Sequence, residues 1–170
     1  MRTVRVLGVD PGAGGGLAVV SVDPLTGDLR LLGGLRMPTL EMRGKTLVDS
    51  RTLSRWLSDY TGPDWGVGRV IIEQVGAMPR QGVTSAFSFG RSTGAVEACV
   101  MAAYLFAAVE WVSPAIWKRA LGLSSDKQAS LDAARLAFGK DFVWTKKADD
   151  GIAEAALMAK WAIEQRRVAA

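Results

Sequence analysis

Three strand-forming runs crowd into the first 37 residues, and the links between them are too short for anything but tight turns. Val4 to Val9 is rich in β-branched residues and ends in Asp10-Pro11-Gly12. The glycines from Gly12 to Gly16 lead into a second run, Leu17 to Val22. Asp23-Pro24 and Thr26-Gly27-Asp28 carry turn chemistry before a third, Leu29 to Met37. Parallel neighbours need a crossover of roughly a dozen residues or more, so these strands are expected to pair antiparallel.

The rest of the chain alternates helix and strand. Asp49 or Ser50 can cap a helix that carries Leu53, Trp56, Leu57 and Tyr60 on one face. Glycine and proline break the chain before Arg69 to Glu73, whose Val70-Ile71-Ile72 core suits a buried central strand. Ser85 to Phe106 reads as a long helix rich in small residues, and Val109 to Val112 as a short strand closed by Ser113-Pro114. The most apolar run, Ala98 to Val109, holds 12 residues and reads as a buried helix entering a core strand. It falls short of the roughly 20 needed to span a bilayer. Helical patterns follow at about 115–121, 126–138 and 150–166. No repeat, low-complexity tract or linker divides the chain, so residues 1–170 are expected to form a single domain. The expected fold is α/β: a mixed five-stranded sheet, three antiparallel strands then two parallel, flanked by helices.

Absences narrow the chemistry. The chain has no histidine, which excludes Ser-His-Asp and Cys-His nucleophile pairs and any His-ligated metal. Any metal must be held by oxygen, which points to Mg²⁺, Mn²⁺ or Ca²⁺. The one cysteine, Cys99, cannot form an internal disulfide, and the opening residues are too weakly apolar for a signal peptide. A reducing cytoplasm is the expected location. Lys and Arg number 21 against 17 Asp and Glu, a net charge of +4 that favours a polyanionic partner only mildly.

Acids are the candidate chemistry. Asp10 ends the first strand among small residues that let a substrate backbone come close, although an isolated Asp-Pro-Gly is commonly just a turn. The glycines after it match neither a dinucleotide-binding fingerprint nor a P-loop, and strand rather than helix follows. Glu73 ends a strand expected beside the first, where an ionised carboxylate is costly without a cation or hydrogen bonds; a salt bridge to an arginine would also satisfy it. Asp149 or Asp150 can cap the last helix. Asp150 and Glu154 lie four apart and share a face, and Glu154 sits among Ala153, Ala155 and Ala156, an unusual setting for a solvated acid.

These stretches together resemble the RuvC-type Holliday-junction resolvases, especially their compact phage-like branch, over nearly the whole chain. The resemblance rests on GVDPG at 8–12, IIEQV at 71–75, FSFGRSTGAVEA at 87–98, SPAIWKRALGL at 113–123, DKQASLDAARLAF at 126–138 and DDGIAEAALMAKWA at 149–162. The order βββαβαβααα is similar to that of a ribonuclease-H-like domain. The resemblance implies a nuclease that cuts four-way DNA junctions with paired nicks, working as a homodimer in the cytoplasm of a bacterial cell or phage-infected host. It puts Asp10, Glu73, Asp150 and Glu154 on the carboxylates that hold two Mg²⁺ ions, with Mn²⁺ as a substitute; Glu154 stands where the family has Asp. An alternative register puts Asp150 on the final position with Glu154 in support. Lys118 matches a catalytic and DNA-contacting lysine and Lys127 a second basic position; ordinary surface lysines are the competing reading. Arg80 and Arg91 flank the start of the helix expected to face DNA, and Met78 stands where the family carries an aromatic wedge. Trp56, Trp65, Trp111 and Trp161 read as core or interface residues, while Trp117, beside Lys118, is open to either reading.

Three other function classes are weighed against this. An actin-like kinase needs two such domains and more chain. A ribonuclease H shares the acids and would cut RNA–DNA hybrids. A non-catalytic DNA-binding module would not gather carboxylates, which repel phosphate unless a metal intervenes.

Overall fold

The computed structural model describes residues 3–42, 44–62, 66–76, 82–142, 144 and 147–168. Strands β1 (Val4–Asp10), β2 (Gly16–Val22) and β3 (Leu29–Arg36) form the expected antiparallel meander. Asp23 makes the second turn, its carboxylate accepting from the backbone N–H groups of Leu25 and Thr26. A short hairpin follows, β4 (Thr39–Met42) and β5 (Lys45–Val48), turning at Gly44 with φ +70°. The sequence reading does not contain this hairpin, because only Leu47 and Val48 of its residues are buried and its alternation is weak.

Helix α1 (Ser50–Ser58) starts on Asp49, whose side chain accepts from Arg51 N and Thr52 N. It leads to β6 (Arg69–Glu73), α2 (Val83–Ala103), β7 (Ala108–Val112), α3 (Pro114–Ala120), α4 (Lys127–Phe138) and α5 (Asp150–Val168). The main sheet runs β3-β2-β1-β6-β7, with β6 parallel to β1 and β7 parallel to β6. The fold is therefore the mixed five-stranded α/β sheet expected. No helix among the described residues is long and apolar enough to cross a membrane.

Strand periodicity divides the core between the two faces. Leu7, Val9, Leu17, Val19, Val70 and Ile72 point to one face and pack with Leu53 and Leu57 of α1 and Val96 and Val100 of α2. Val6, Ala18, Val20 and Ile71 point to the other, beneath α5, with Trp117 of α3 and Leu131, Ala134 and Phe138 of α4. A bulge opposite Val19 and Val20 inserts Leu32 and switches the parity of β3, so Gly33 meets Tyr60 of α1's flank while Gly34 meets Ile152 of α5.

One expectation is overturned. The run Ala98 to Val109 is not a buried helix. Helix α2 buries only Ser92, Val96 and Val100 and ends at Tyr104, whose hydroxyl donates to Leu57 O at 3.2 Å. Met101, Leu105 and Phe106 lie exposed, because a stripe repeating every fourth residue covers one narrow face.

Candidate active site

The first two acids are aligned by register. Parallel pairing sets Val9 beside Ile72, so Asp10 and Glu73 come next in line on adjacent strands. Alternation puts Asp10 on the same face as Val6 and Gly8, and Glu73 on the same face as Ile71. Both are therefore on the side covered by α5.

The second pair depends on how closely α5 approaches. A Cβ on Gly8 would stand 1.8 Å from Ala155 O, and one on Gly16 2.8 Å from Ile152 N. Gly15 and Gly151 meet in the same way, at 2.3 Å from Gly151's notional Cβ to Gly15 C. Glycine on the strands and Gly151, Ala153, Ala155 and Ala156 on the helix thus let backbone pack on backbone. That contact lowers Asp150 and Glu154 to the edge where β1 and β6 end. Glu154 is 9% exposed, and its Oε1 accepts from Lys118 Nζ at 2.6 Å and from Ser130 Oγ at 3.1 Å. Asp150 pairs with Lys127 of α4. Glu73 Oε1 accepts from Trp117 Nε1 at 3.0 Å. The strand's arginine, Arg69, does not neutralise Glu73; it forks onto Glu110 at 2.7 and 2.8 Å and donates to Ala162 O.

Asp10 registers the crowding. Its carboxyl is pushed up from 3.8 to about 7, first by burial and then by the charge of Glu73, with Glu154 adding to it. Gly12 N, at 3.4 Å, and the more distant Lys127 oppose the rise. Burial also raises Glu73, against the indole N–H that lowers it, and Glu154 adds to the rise. Lys127 is raised by its hydrogen bond to Asp150. An all-oxygen donor set with surplus negative charge on a buried acid suits a hard divalent cation. The side chains are not gathered for one as they stand. Among the described residues no three acids lie close enough together to hold an ion, and Lys118 and Lys127 engage Glu154 and Asp150.

With this geometry the chain can be set against known proteins. No family model matches the sequence, and no curated protein matches it. Solved structures do. RuvC from Thermus thermophilus superposes with TM-score 0.63 at 19% identity, over 97% of each chain. The same protein in complex with a Holliday junction gives 0.62 at 19%, over 96% of each. The fowlpox virus Holliday junction resolvase gives 0.56 at 13% identity, over 96% of this chain and 99% of its own. This is the RuvC-type resolvase fold.

On the RuvC-type fold the remaining sequence candidates separate. Asp149 is 2% exposed and pairs with Arg36 of β3, Nε to Oδ1 at 2.6 Å, so it ties α5's start to the sheet. Arg91 lines a cavity between α2 and the β4–β5 hairpin with Leu40, Met42 and Leu47, and makes no ion pair with the acids among the described residues. Arg80, Met78 and Trp65 lie outside the described residues. Trp56 packs against the α1–α2 core and Trp161 against the α5 core, as expected. Trp111 is 44% exposed, and its Nε1 donates to Glu97 of α2 at 3.0 Å. Sequence reasoning left the indole of Trp117 open between core and site and missed the hydroxyl of Ser130. Proximity to Lys118 hinted at the first; nothing local marks Ser130.

Proposed function

We propose that this chain is a divalent-metal-dependent endonuclease that resolves four-way DNA junctions. The observation that carries the reading is that Asp10 and Glu73 end adjacent parallel strands at one sheet edge, directly beneath the closely packed helix that carries Glu154. Asp10, Glu73, Glu154 and Asp150 would hold two Mg²⁺ or Mn²⁺ ions, whose Lewis-acid charge would drive in-line phosphodiester hydrolysis. Asp10 feels the charge of both Glu73 and Glu154 and would be one of the ligands. Lys118 and Lys127 hold Glu154 and Asp150 in position and bring positive charge to the site where a phosphate must approach. Trp117 and the aliphatic floor keep bulk water from one side.

Paired nicks on a two-fold junction call for two copies of the chain. The exposed face of α2, with Val83, Phe87 and Met101 around Gly90 and Gly94, is the surface we assign to a second copy. Sedimentation of the wild type and of Phe87→Asp tests this: a dimer should become a monomer, and a wild-type monomer removes the assignment.

The central experiment incubates end-labelled four-way junction, linear duplex and RNA–DNA hybrid with the protein, with and without Mg²⁺. Symmetric nicks in the junction alone, only with the metal, are the expected result. Cutting confined to the RNA strand of the hybrid would make the chain a ribonuclease H, and junction binding without cutting a DNA-binding module.

A further inference from the structure

The acids are held by two kinds of donor. Lys118 and Lys127 bring a positive charge that competes with any cation for the same carboxylates. Trp117 and Ser130 do not. The Trp117 ring is fully buried in the core beneath α5, and its Nε1–H, the side chain's one polar group, is spent on Glu73 Oε1 at 3.0 Å. Ser130 is fully buried in α4, where a serine hydroxyl commonly bonds back to its own helix; its Oγ donates across to Glu154 Oε1 at 3.1 Å. In each case Oε1 is occupied, and Oε2 accepts no hydrogen bond among the described residues.

We infer that Trp117 and Ser130 are positioning residues that fix Glu73 and Glu154 by one oxygen and leave the other for a divalent cation. The inference rests on the nuclease reading above and adds which residues prepare its acids. A neutral donor suits the task because it restrains a flexible carboxylate without cancelling the charge the cation needs. Phenylalanine would fill most of the same apolar space, so packing alone does not call for an indole whose N–H reaches an acid.

The test compares the wild type with Trp117→Phe and Ser130→Ala in three measurements: Mn²⁺ binding by calorimetry without DNA, junction binding without metal, and the Mg²⁺ concentration that half-activates cleavage. Each substitution should weaken Mn²⁺ binding roughly tenfold and raise the half-activating Mg²⁺ by a similar factor. Metal-free junction affinity should stay unchanged. Wild-type Mn²⁺ affinity in both variants overturns the inference. Should Trp117→Phe fail to fold, the assigned Trp117 indole resonance of the wild type decides. It should move during Mg²⁺ titration with the midpoint of Mg²⁺ calorimetry on the same protein, and a stationary resonance overturns the role of Trp117. A wild type that neither binds Mn²⁺ nor cuts the junction fails the nuclease reading itself, whereas a cutting wild type with indifferent variants fails only this one.

Discussion

The two faces of the sheet are built on opposite principles. Toward α1 and α2, Leu7, Val9, Leu17, Val19, Val70 and Ile72 hold the helices away with branched aliphatic side chains, and among the described residues no buried acid joins that core. Toward α5, Gly8, Gly16, Ala18 and Gly34 strip the strands of bulk, and the helix answers with Gly151, Ala153 and Ala155. The first arrangement maximises apolar area removed from water. The second keeps an apolar core of its own around Trp117, Phe138 and Met158, but where α5 crosses β1 and β2 it trades side-chain bulk for a close backbone contact, which positions charged groups to within hydrogen-bonding distance. Both faces stabilise the fold, and the second also aims it.

The sharpest way to break this contrast is Asp10→Asn. Cleavage should fall by roughly a thousandfold or more, with junction binding retained, while the variant becomes more stable than the wild type near neutral pH. A cleaving variant, measured on the labelled junction, would remove Asp10 from the chemistry.

Gly8→Ala should come next. The new methyl meets a backbone oxygen rather than a side-chain tip, so α5 must shift, and we expect a loss of about 3 kcal/mol or more together with cleavage. Urea unfolding and the junction assay read both effects, and an intact active variant would show that close contact is not what positions Glu154. On the other face, Leu7→Ala should cost about 2–5 kcal/mol by leaving a cavity. Its cleavage per folded molecule should match the wild type, and selective loss of cleavage would end the division of labour between the faces.

Acidity offers a gentler probe. Asp10 titrates near 7 in the folded chain against 3.8 for the free side chain, so the folded state binds this proton more tightly. Without divalent metal, stability should therefore decline as pH rises from about 4 to about 7, and Asp10→Asn should flatten that slope. Thermal melts across this range in chelator would show it, and identical slopes would contradict the burial of Asp10. The smallest effect on function is expected at Asp149→Asn. Losing the charged partner of Arg36 should cost about 1–3 kcal/mol, with cleavage kept; loss of metal binding there would move Asp149 into the site.

Much of this was legible in order and alternation. The hairpin turns after Val9 and Val22, the buried strand Arg69–Glu73 and the Asp49 cap all express local chemistry and appear where expected. The β4–β5 hairpin and the exposed end of α2 did not, because weak alternation and unbroken apolar runs carry no record of which side meets water.

The same boundary runs through the site. Residue type and period by themselves put Asp10 and Glu73 each at the end of a strand and left any metal only oxygen to meet, while the register of β1 and β6 set them on one face. Tertiary structure alone decided among the acids at 149–154, pairing Asp149 with an arginine 113 residues away and bringing Glu154 to Lys118 and Ser130. A helix lined with alanine has no amphipathic stripe to announce its orientation. What orients it is the distance at which two backbones can touch, and that belongs to neither segment read alone.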